Sequence, residues 1–144
     1  MKIQLLELPF NPWQELHNYQ ETQSALQGKQ GANCVFVGNM RDFNEAQSVR
    51  AMFLEHYPEM TERYLEKIAQ QAMERWDILD ILVLHRVGDI FPNDSIVLIA
   101  VWSAHREAAF SANRYILEEL KHRAPFWKKE TLIDNSQRWV TSNQ

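Results

Sequence analysis

The sequence has 144 residues, of which 45% are hydrophobic and 24% are charged, and its formal net charge is -4. These proportions are typical of a globular chain that buries its own core, so we predict a single domain spanning residues 1–144. The acidic balance excludes a protein whose whole surface binds nucleic acid or anionic lipid, and any anion site must therefore be local.

The first quarter of the chain predicts a strand followed by a helix. Residues 2–8 are typical of an edge strand. Because no basic segment precedes a long apolar stretch, we expect no signal peptide. Pro12 is tolerated in the first turn of a helix, which we expect to extend to about Leu26. A polar linker at residues 28–31 follows.

Residues 33–41 alternate in the manner of a strand. The alternation predicts one face that carries Val35, Val37, Asn39 and Arg41, and an opposite face that carries Cys34, Phe36, Gly38 and Met40. Gly38, near the end of this strand, allows a ligand or another chain to approach the backbone closely. A further strand is predicted over residues 48–56.

The middle of the chain predicts an amphipathic helix and two buried strands. In residues 59–76 the apolar residues recur at helical spacing, which indicates a helix with one face against the core. Residues 78–85 and 95–102 are continuous apolar runs rich in β-branched residues, typical of strands buried on both faces. The connection between them contains Pro92 and Asn93, which favour a turn.

The last third predicts a long helix and two short strands. Ser103 is a suitable N-cap for a helix over residues 104–123, and Pro125 would stop it. Residues 126–133 and 137–140 are expected to be strands, followed by a polar tail. Because strands and helices do not alternate as regular βαβ units, the order predicts an α+β fold.

The pair His105 and Arg106 lies in the opening turn of that last predicted helix. Free N–H groups and the positive end of the helix dipole favour an anion at such a position, and an imidazole and a guanidinium strengthen the preference. The alternative is a solvated helix start, with Arg106 paired to a nearby carboxylate.

A second basic feature lies at the other end of the same helix. Residues 121–129 contain four Lys or Arg and one His, with no carboxylate among them. Crowded, partly desolvated lysines have lowered pKa values, which suits them to proton transfer or nucleophilic attack near neutral pH. The alternative is a solvated basic turn, because cations are favoured at the C-terminus of any helix.

The two basic features are too far apart to serve one small-molecule site in one chain. Arg106 and Lys121 are fifteen residues apart, which in a helix separates their backbones by roughly 22 Å. If both contribute to one pocket, a second copy of the chain must supply the His105 and Arg106 end. We therefore predict a symmetric dimer with shared sites.

The sequence predicts neither a metal site nor a bound cofactor. His17, His56 and His85 lack metal-ligand spacing, so we expect hydrogen-bonded structural roles for them. The single cysteine, Cys34, excludes an internal disulfide and a multi-cysteine zinc site, and we expect it to be an inert buried thiol. One cysteine also suits a cytoplasmic location.

At these residues the sequence resembles the large, catalytic subunit of molybdopterin synthase. The matching stretches follow the family's order: GNMR (38–41), LEHYPEM (54–60), HRVGDIFPND (85–94), SAHREAAF (103–110), LKHRAPFWKKE (120–130) and RW (138–139). The combination of SAHR with RAPFWK is far more specific than any single basic cluster, and it favours a functional role for both basic features.

The resemblance implies an α/β-hammerhead type of fold, with an antiparallel or mixed sheet and two main helices. It also implies a sulfurtransferase of molybdenum cofactor biosynthesis. In that family a large-subunit homodimer carries a small ubiquitin-like subunit at each end, which makes a heterotetramer. The small subunit's C-terminal thiocarboxylate enters a pocket of the large subunit, and two sulfur transfers convert cyclic pyranopterin monophosphate to the dithiolene of molybdopterin.

The resemblance also assigns roles to individual residues. The catalytic pair would be Lys121 and Lys128. Our own hypothesis for their roles, which the resemblance does not supply, is that Lys121 stabilises charge on the acyl group and Lys128 acts as general acid or base. The substrate-binding positions would be Asn39, Met40, Arg41, His105, Arg106, Lys129 and Glu130. Of these, the cations suit the cyclic phosphate.

Two other classes of function compete with this interpretation. One is a non-catalytic binding module that docks the tail of a ubiquitin-like protein. The other is a single-stranded nucleic acid binder that uses Phe126, Trp127 and the basic segment. The acidic net charge argues against the second class.

Overall fold

The computed structural model of the chain describes residues 1–140, which form three α-helices and nine strands. The helices are α1 (Pro12–Gln20), α2 (Pro58–Arg75) and α3 (Arg106–Arg123). The strands are β1 (Lys2–Leu6), β2 (Ala32–Asn39), β3 (Phe43–Asn44), β4 (Gln47–His56), β5 (Ile78–Arg86), β6 (Gly88–Ile90), β7 (Ser95–Ser103), β8 (Phe126–Leu132) and β9 (Gln137–Val140). The predicted α+β class is confirmed. The predicted polar tail, residues 141–144, lies outside the described residues.

The first sheet is mixed and has the strand order β1-β5-β7-β2. β1 is an edge strand, as predicted, and it runs parallel to β5, whereas the other pairs are antiparallel. Side chains alternate across this sheet, so Ile81 and Val83 pack under α2 and α3 while Leu82 and Leu84 pack on the side of α1. Burial on both faces explains the continuous apolar runs of β5 and β7.

The second sheet is antiparallel and has the order β3-β4-β8-β9, with β6 paired to β4. Its inner face has a separate small core, which includes Met52, Leu54, Ile90 and Leu132. Neither β3 nor β6 was predicted, because strands of two or three residues are too short to show a periodic pattern.

The prediction that the first helix extends to Leu26 was wrong. α1 ends at Gln20, and a separate 3-10 turn covers Ser24–Leu26. The break coincides with a local change of hydrogen bonding, since the Thr22 N–H and the Thr22 hydroxyl both donate to the Tyr19 carbonyl, over 2.9 and 2.6 Å. A threonine side chain that bonds to a nearby backbone carbonyl competes with the regular helical pattern. The Gln23 amide and the Tyr19 hydroxyl both donate to the Asp80 carboxylate, over 2.9 and 2.8 Å.

The prediction that Ser103 caps α3 was also wrong. Ser103 is buried in β7, where it pairs with Ala32 and Ile78. Its hydroxyl donates to the carbonyl of His105, which is the residue at the N-cap position. A residue still held in a sheet ladder cannot turn its side chain onto the first N–H groups of the next helix.

Asn113, in the middle of α3, holds this helix against the first sheet. The buried amide of Asn113 donates to the Cys34 carbonyl over 2.9 Å and to the Ile99 carbonyl over 3.0 Å. These bonds connect the helix to both β2 and β7. Cys34 is half-buried and not fully buried as we expected, and burial raises the pKa of its thiol. Within residues 1–140, none of the helices is both long enough and apolar enough to cross a membrane.

Candidate active site

A cavity of about 510 Å³ lies where the C-terminal end of α3 meets both sheets. Three cationic side chains line it, namely Arg41, Lys121 and Lys128, together with His85 and Asn39. The rest of the wall is mostly apolar and is formed by Phe36, Gly38, Met52, Leu54, Ile96, Val97, Leu117, Leu120 and Phe126. No carboxylate belongs to this lining among the described residues. Such a wall can hold an anionic group beside a flat apolar one.

The two predicted catalytic lysines reach this cavity from different elements. Lys121 belongs to the last turn of α3, and Lys128 lies inside β8, after the turn at Pro125. The Thr61 hydroxyl, at the start of α2, donates to the Pro125 carbonyl over 3.4 Å. This contact ties the turn to α2. The turn reverses the chain between α3 and β8, so Lys121 and Lys128, seven residues apart in the sequence, line the same cavity.

Lys128 has the protonation behaviour that we expected of a crowded lysine. Burial lowers the pKa of Lys128, the neighbouring carboxylate of Glu130 opposes this shift, and the positive charges of Arg41 and Lys121 lower it further. A lysine amine that loses its proton more readily than usual is suited to general acid or base chemistry.

Arg41 enters the cavity because β2 is irregular near its end. The pairing register with β7 shifts between Gly38 and Asn39, and a bulge of this kind changes which face the following residues occupy. The prediction that Arg41 shares a face with Val35 and Val37 was therefore wrong. Arg41 lines the cavity beside Phe36 and Gly38, whereas Val35 and Val37 pack on the side of α1.

The side chain of Met40, between Asn39 and Arg41, points into the core of the second sheet and is 6% exposed. Its backbone is held on both sides: its N–H donates to the Asp94 carbonyl, and its carbonyl accepts from the Asn93 N–H, each over 2.9 Å. The side chain of Met40 is not part of the cavity wall. The two hydrogen bonds fix the course of the chain between Asn39 and Arg41.

Glu130 lies two residues beyond Lys128 on the same strand and is 3% exposed. Its carboxylate accepts hydrogen bonds from the Asn44 amide over 2.9 Å and from the Arg138 Nε over 3.0 Å. Both carboxylate oxygens are thus engaged within the protein. Glu130 joins β3, β8 and β9, and its charge acts on Lys128 from behind the cavity wall.

Lys129 lies on the opposite face of β8 from Lys128. Its ammonium group is 5.6 Å from the centre of the Trp139 ring, in cation–π geometry. Around it the outer face of the second sheet carries the exposed aromatic side chains of Phe53, Trp127 and Trp139, and the exposed ring of Tyr57, just beyond β4, contacts Trp127. The structure therefore separates the two adjacent lysines, and Lys129 does not line the cavity.

His105 and Arg106 are exposed at the start of α3, at the opposite end of the helix from Lys121. The structure does not bring them to the cavity of their own chain, in agreement with the distance estimated from the sequence. Two other basic residues of the segment have partners on α3 itself. His122 pairs with Glu118 over 3.0 Å, and Arg123 pairs with Glu119 over 3.7 Å.

His85 is a cavity residue that the sequence reasoning did not single out. The expected structural hydrogen bond is present, since its Nδ1 lies 2.7 Å from the Arg86 carbonyl oxygen. A lone histidine in an apolar strand carries no spacing signal, and only the tertiary structure reveals that it shares a wall with both lysines. Among residues 1–140, no group of three or more His, Cys, Asp or Glu is arranged to hold a metal ion.

A second, larger cavity of about 680 Å³ lies between the start of α1 and β2. Its only charged lining residue among those described is Asp94. It is wider and more open, but it has no cation for an anionic ligand and none of the groups with a shifted pKa. The smaller cavity is therefore the better candidate for a reaction site.

Fold and cavity together define an α+β protein with a lysine pair in a cationic, partly apolar cavity. The family model described as "MoaE protein" matches residues 12–123, and the chain belongs to this family. The molybdopterin synthase catalytic subunit of Pseudomonas aeruginosa is 45% identical over 140 residues, which cover 97% of this chain and 90% of that protein.

Two solved structures have a similar fold. The molybdopterin biosynthesis MoaE protein from Burkholderia ambifaria has a TM-score of 0.79 and 41% identity, and the match covers 99% of this chain and 90% of that one. A complex of subunits 1 and 2 of molybdopterin-converting factor from Helicobacter pylori has a TM-score of 0.79 and 23% identity, over 96% of this chain and 90% of that one. At that identity, the second match shows the fold alone.

Proposed function

We propose that this chain is the catalytic subunit of a molybdopterin synthase. In this proposal it moves sulfur from the C-terminal thiocarboxylate of a small ubiquitin-like subunit onto cyclic pyranopterin monophosphate, in two successive transfers. The observation that carries the proposal is the cavity that Lys121 and Lys128 share with Arg41. Membership of the MoaE protein family supports it independently.

The charges of the cavity suit both proposed substrates. A thiocarboxylate and a cyclic phosphate each bring a negative charge, and three cationic side chains face the cavity without a carboxylate among the lining residues. Charge-assisted hydrogen bonds from Arg and Lys hold such groups in place. The apolar part of the wall, including Phe36 and Phe126, suits the flat faces of a pterin ring.

The two lysines take different roles in the proposed reaction. Lys121, at the end of α3, pairs with the C-terminus of the incoming tail. It stabilises the negative charge that develops on the tail's carbonyl oxygen while the bond between the acyl carbon and sulfur breaks. Lys128, whose pKa is lowered mainly by burial, exchanges a proton with the substrate while sulfur adds and the cyclic phosphate opens. The division between the two lysines is part of the proposal.

The proposed substrate-binding residues fall into two groups. Asn39 and Arg41 line the cavity and would contact the pterin phosphate directly. Met40 and Glu130 are buried beside the wall, so their contribution would come from the backbone of Met40 and from the charge of Glu130. Lys129, on the outer face of β8, would reach the ligand only with a change of position.

His105 and Arg106 would complete the cavity of a second copy of the chain. Roughly 22 Å of helix separates Arg106 from Lys121, which supports a symmetric homodimer with shared sites. With one small subunit at each end, the assembly would be a heterotetramer. The single cysteine supports the cytoplasm as the proposed location.

Reconstitution from purified components tests the proposal. The chain is mixed with a thiocarboxylated small subunit and cyclic pyranopterin monophosphate, and molybdopterin is measured as its oxidised fluorescent derivative. We expect product from the unmodified chain and none from Lys121→Ala or Lys128→Ala. If the unmodified chain bound the small subunit's tail but made no product, the proposed enzymatic function would be contradicted and a non-catalytic docking module would be favoured.

Matched variants separate charge from proton transfer. Lys128→Arg keeps the positive charge but does not release a proton near neutral pH, so it should bind substrate and remain inactive. Lys67→Ala removes an exposed lysine on the solvent side of α2 and should leave activity unchanged. Full turnover in Lys128→Arg would overturn the proton-transfer role of Lys128.

A further inference from the structure

The imidazole of His85 is a neutral group in a wall of cations. His85 lies near the end of β5, is 8% exposed and lines the same cavity as Arg41, Lys121 and Lys128. Every one of those three neighbours is a hydrogen-bond donor and none is an acceptor. The protonation state of His85 therefore decides whether the cavity offers an acceptor at this position.

The backbone determines which ring nitrogen carries the proton. Nδ1 lies 2.7 Å from the Arg86 carbonyl oxygen, and because a carbonyl only accepts, Nδ1 must be the donor. Burial lowers the pKa of His85 to about 4, the Arg86 carbonyl opposes this shift, and the charge of His56 adds to it. The ring is thus neutral at pH 7, and Nε2 carries a lone pair.

The orientation of the ring is also fixed. Phe126 stacks on it, with ring centres 4.4 Å apart and planes inclined by 16°. Phe126 belongs to the same strand as Lys128, two residues earlier, and both line the cavity. With its Nδ1 edge bonded and one face covered, the imidazole cannot rotate freely, so Nε2 is the edge that remains for a ligand.

We propose that His85 is a substrate-binding residue whose Nε2 accepts a hydrogen bond from an N–H or O–H group of the ligand's heterocycle. This inference rests on the proposed function, in which the pterin supplies such donors. The cations would recognise the anionic groups, and His85 would distinguish a heterocycle with a polar donor from a plain anion. A buried acceptor without a matching donor disfavours a ligand that lacks one.

Three substitutions separate the two ring nitrogens. His85→Asn keeps a donor for the Arg86 carbonyl but has no acceptor where Nε2 lies. His85→Gln places an amide oxygen near the Nε2 position, and His85→Phe keeps the stacking on Phe126 but has no polar atom. We expect His85→Asn and His85→Phe to raise the KM for cyclic pyranopterin monophosphate about three- to tenfold with little change in kcat. His85→Gln should restore a KM near that of the unmodified chain.

Either of two results would overturn the inference. One is a KM for His85→Asn equal to that of the unmodified chain, and the other is a KM for His85→Gln as high as that of His85→Asn. A purely structural role would instead lower the melting temperature and kcat in all three variants, which circular dichroism and the kcat values would reveal. That outcome would also count against the inference.

A binding measurement without turnover keeps this inference separate from the proposed function. The probes are 6-hydroxymethylpterin, followed by its fluorescence, and inorganic phosphate, followed by calorimetry. His85→Asn should weaken pterin binding about three- to tenfold and leave phosphate binding unchanged, whereas Arg41→Ala should weaken phosphate binding. If the unmodified chain makes no molybdopterin but His85→Asn still weakens pterin binding selectively, the function fails and the inference stands. Equal pterin affinity in both proteins would refute the inference alone.

Discussion

The proposed sharing of each cavity between two copies of the chain has a quantitative consequence for mixed dimers. Arg106→Ala and Lys121→Ala should each be inactive as homodimers, because every site lacks one required cation. The two positions lie at opposite ends of α3, roughly 22 Å apart, so within one copy they cannot contact one ligand. Across the dimer interface, Arg106 of one copy would serve the cavity that contains Lys121 of the other.

The activity expected of the mixed dimer follows from counting its sites. In a dimer with one Arg106→Ala copy and one Lys121→Ala copy, one site carries both defects and the other site carries neither. Half of the sites are then intact, so the mixed dimer should have about half the activity of the unmodified dimer. This recovery requires no change in the chemistry of the intact site.

The assay uses co-expression of the two variants with different affinity tags, followed by purification on both tags in succession. A matched control pairs Lys121→Ala with Lys128→Ala, whose side chains line the same cavity of the same copy. In that mixed dimer every site carries one defect, so no activity should return. An inactive dimer of Arg106→Ala with Lys121→Ala, or recovery in the control, would refute the shared site.

Four further predictions concern charge, stability and shape. After reductive methylation with ¹³C, the NMR resonance of Lys128 should titrate below the ordinary lysine pKa of 10.5, mainly because of burial. Arg41→Ala should raise the pKa of Lys128, and Glu130→Gln should lower it. An unchanged pKa in both variants would contradict the assigned causes. Between that lowered pKa and 10.5 the unfolded chain binds more protons, so Lys128 makes the free energy of unfolding rise with pH in this window. Asp80→Ala should reduce the free energy of unfolding by about 2–3 kcal/mol in urea titrations, because two side-chain donors lose their acceptor. Gly38 lines the cavity, and Gly38→Ala would place a methyl group 3.0 Å from a side chain of the neighbouring strand. A small shift of that side chain relieves the contact, so the fold should be retained. The methyl group narrows the cavity, so the KM for cyclic pyranopterin monophosphate should rise.

The long elements of the fold could be predicted because their patterns extend over many residues. The apolar runs of β5 and β7 and the amphipathic repeat of α2 agree with the structure to within one or two residues at each end. Each pattern reflects burial on two faces or on one, which the sequence records directly. The end of α1 could not be predicted, because it coincides with short-range bonds of Thr22 that leave no periodic pattern in the sequence.

The site was predictable in part. The lysine pair, Arg41 and Asn39 follow from the motifs, and the structure brings all four side chains to one cavity. The face on which Arg41 lies depends on the bulge after Gly38, which simple alternation does not anticipate. The partners of Glu130 are Asn44 and Arg138, which lie 86 and 8 residues away in the chain, and no local pattern indicates such pairs.

The two adjacent lysines of β8 have a consequence for errors in strand pairing. A shift of β8 by one residue against β4 would exchange the faces of all its side chains, so Lys129 would replace Lys128 in the cavity and the local charge would persist. Phe126, however, would turn to solvent and Trp127 would be forced inward, so packing alone would reject the misaligned strand. Anion titration would not distinguish misaligned molecules, because the cavity keeps its lysine, whereas the tryptophan emission of the protein would shift to shorter wavelength as Trp127 becomes buried.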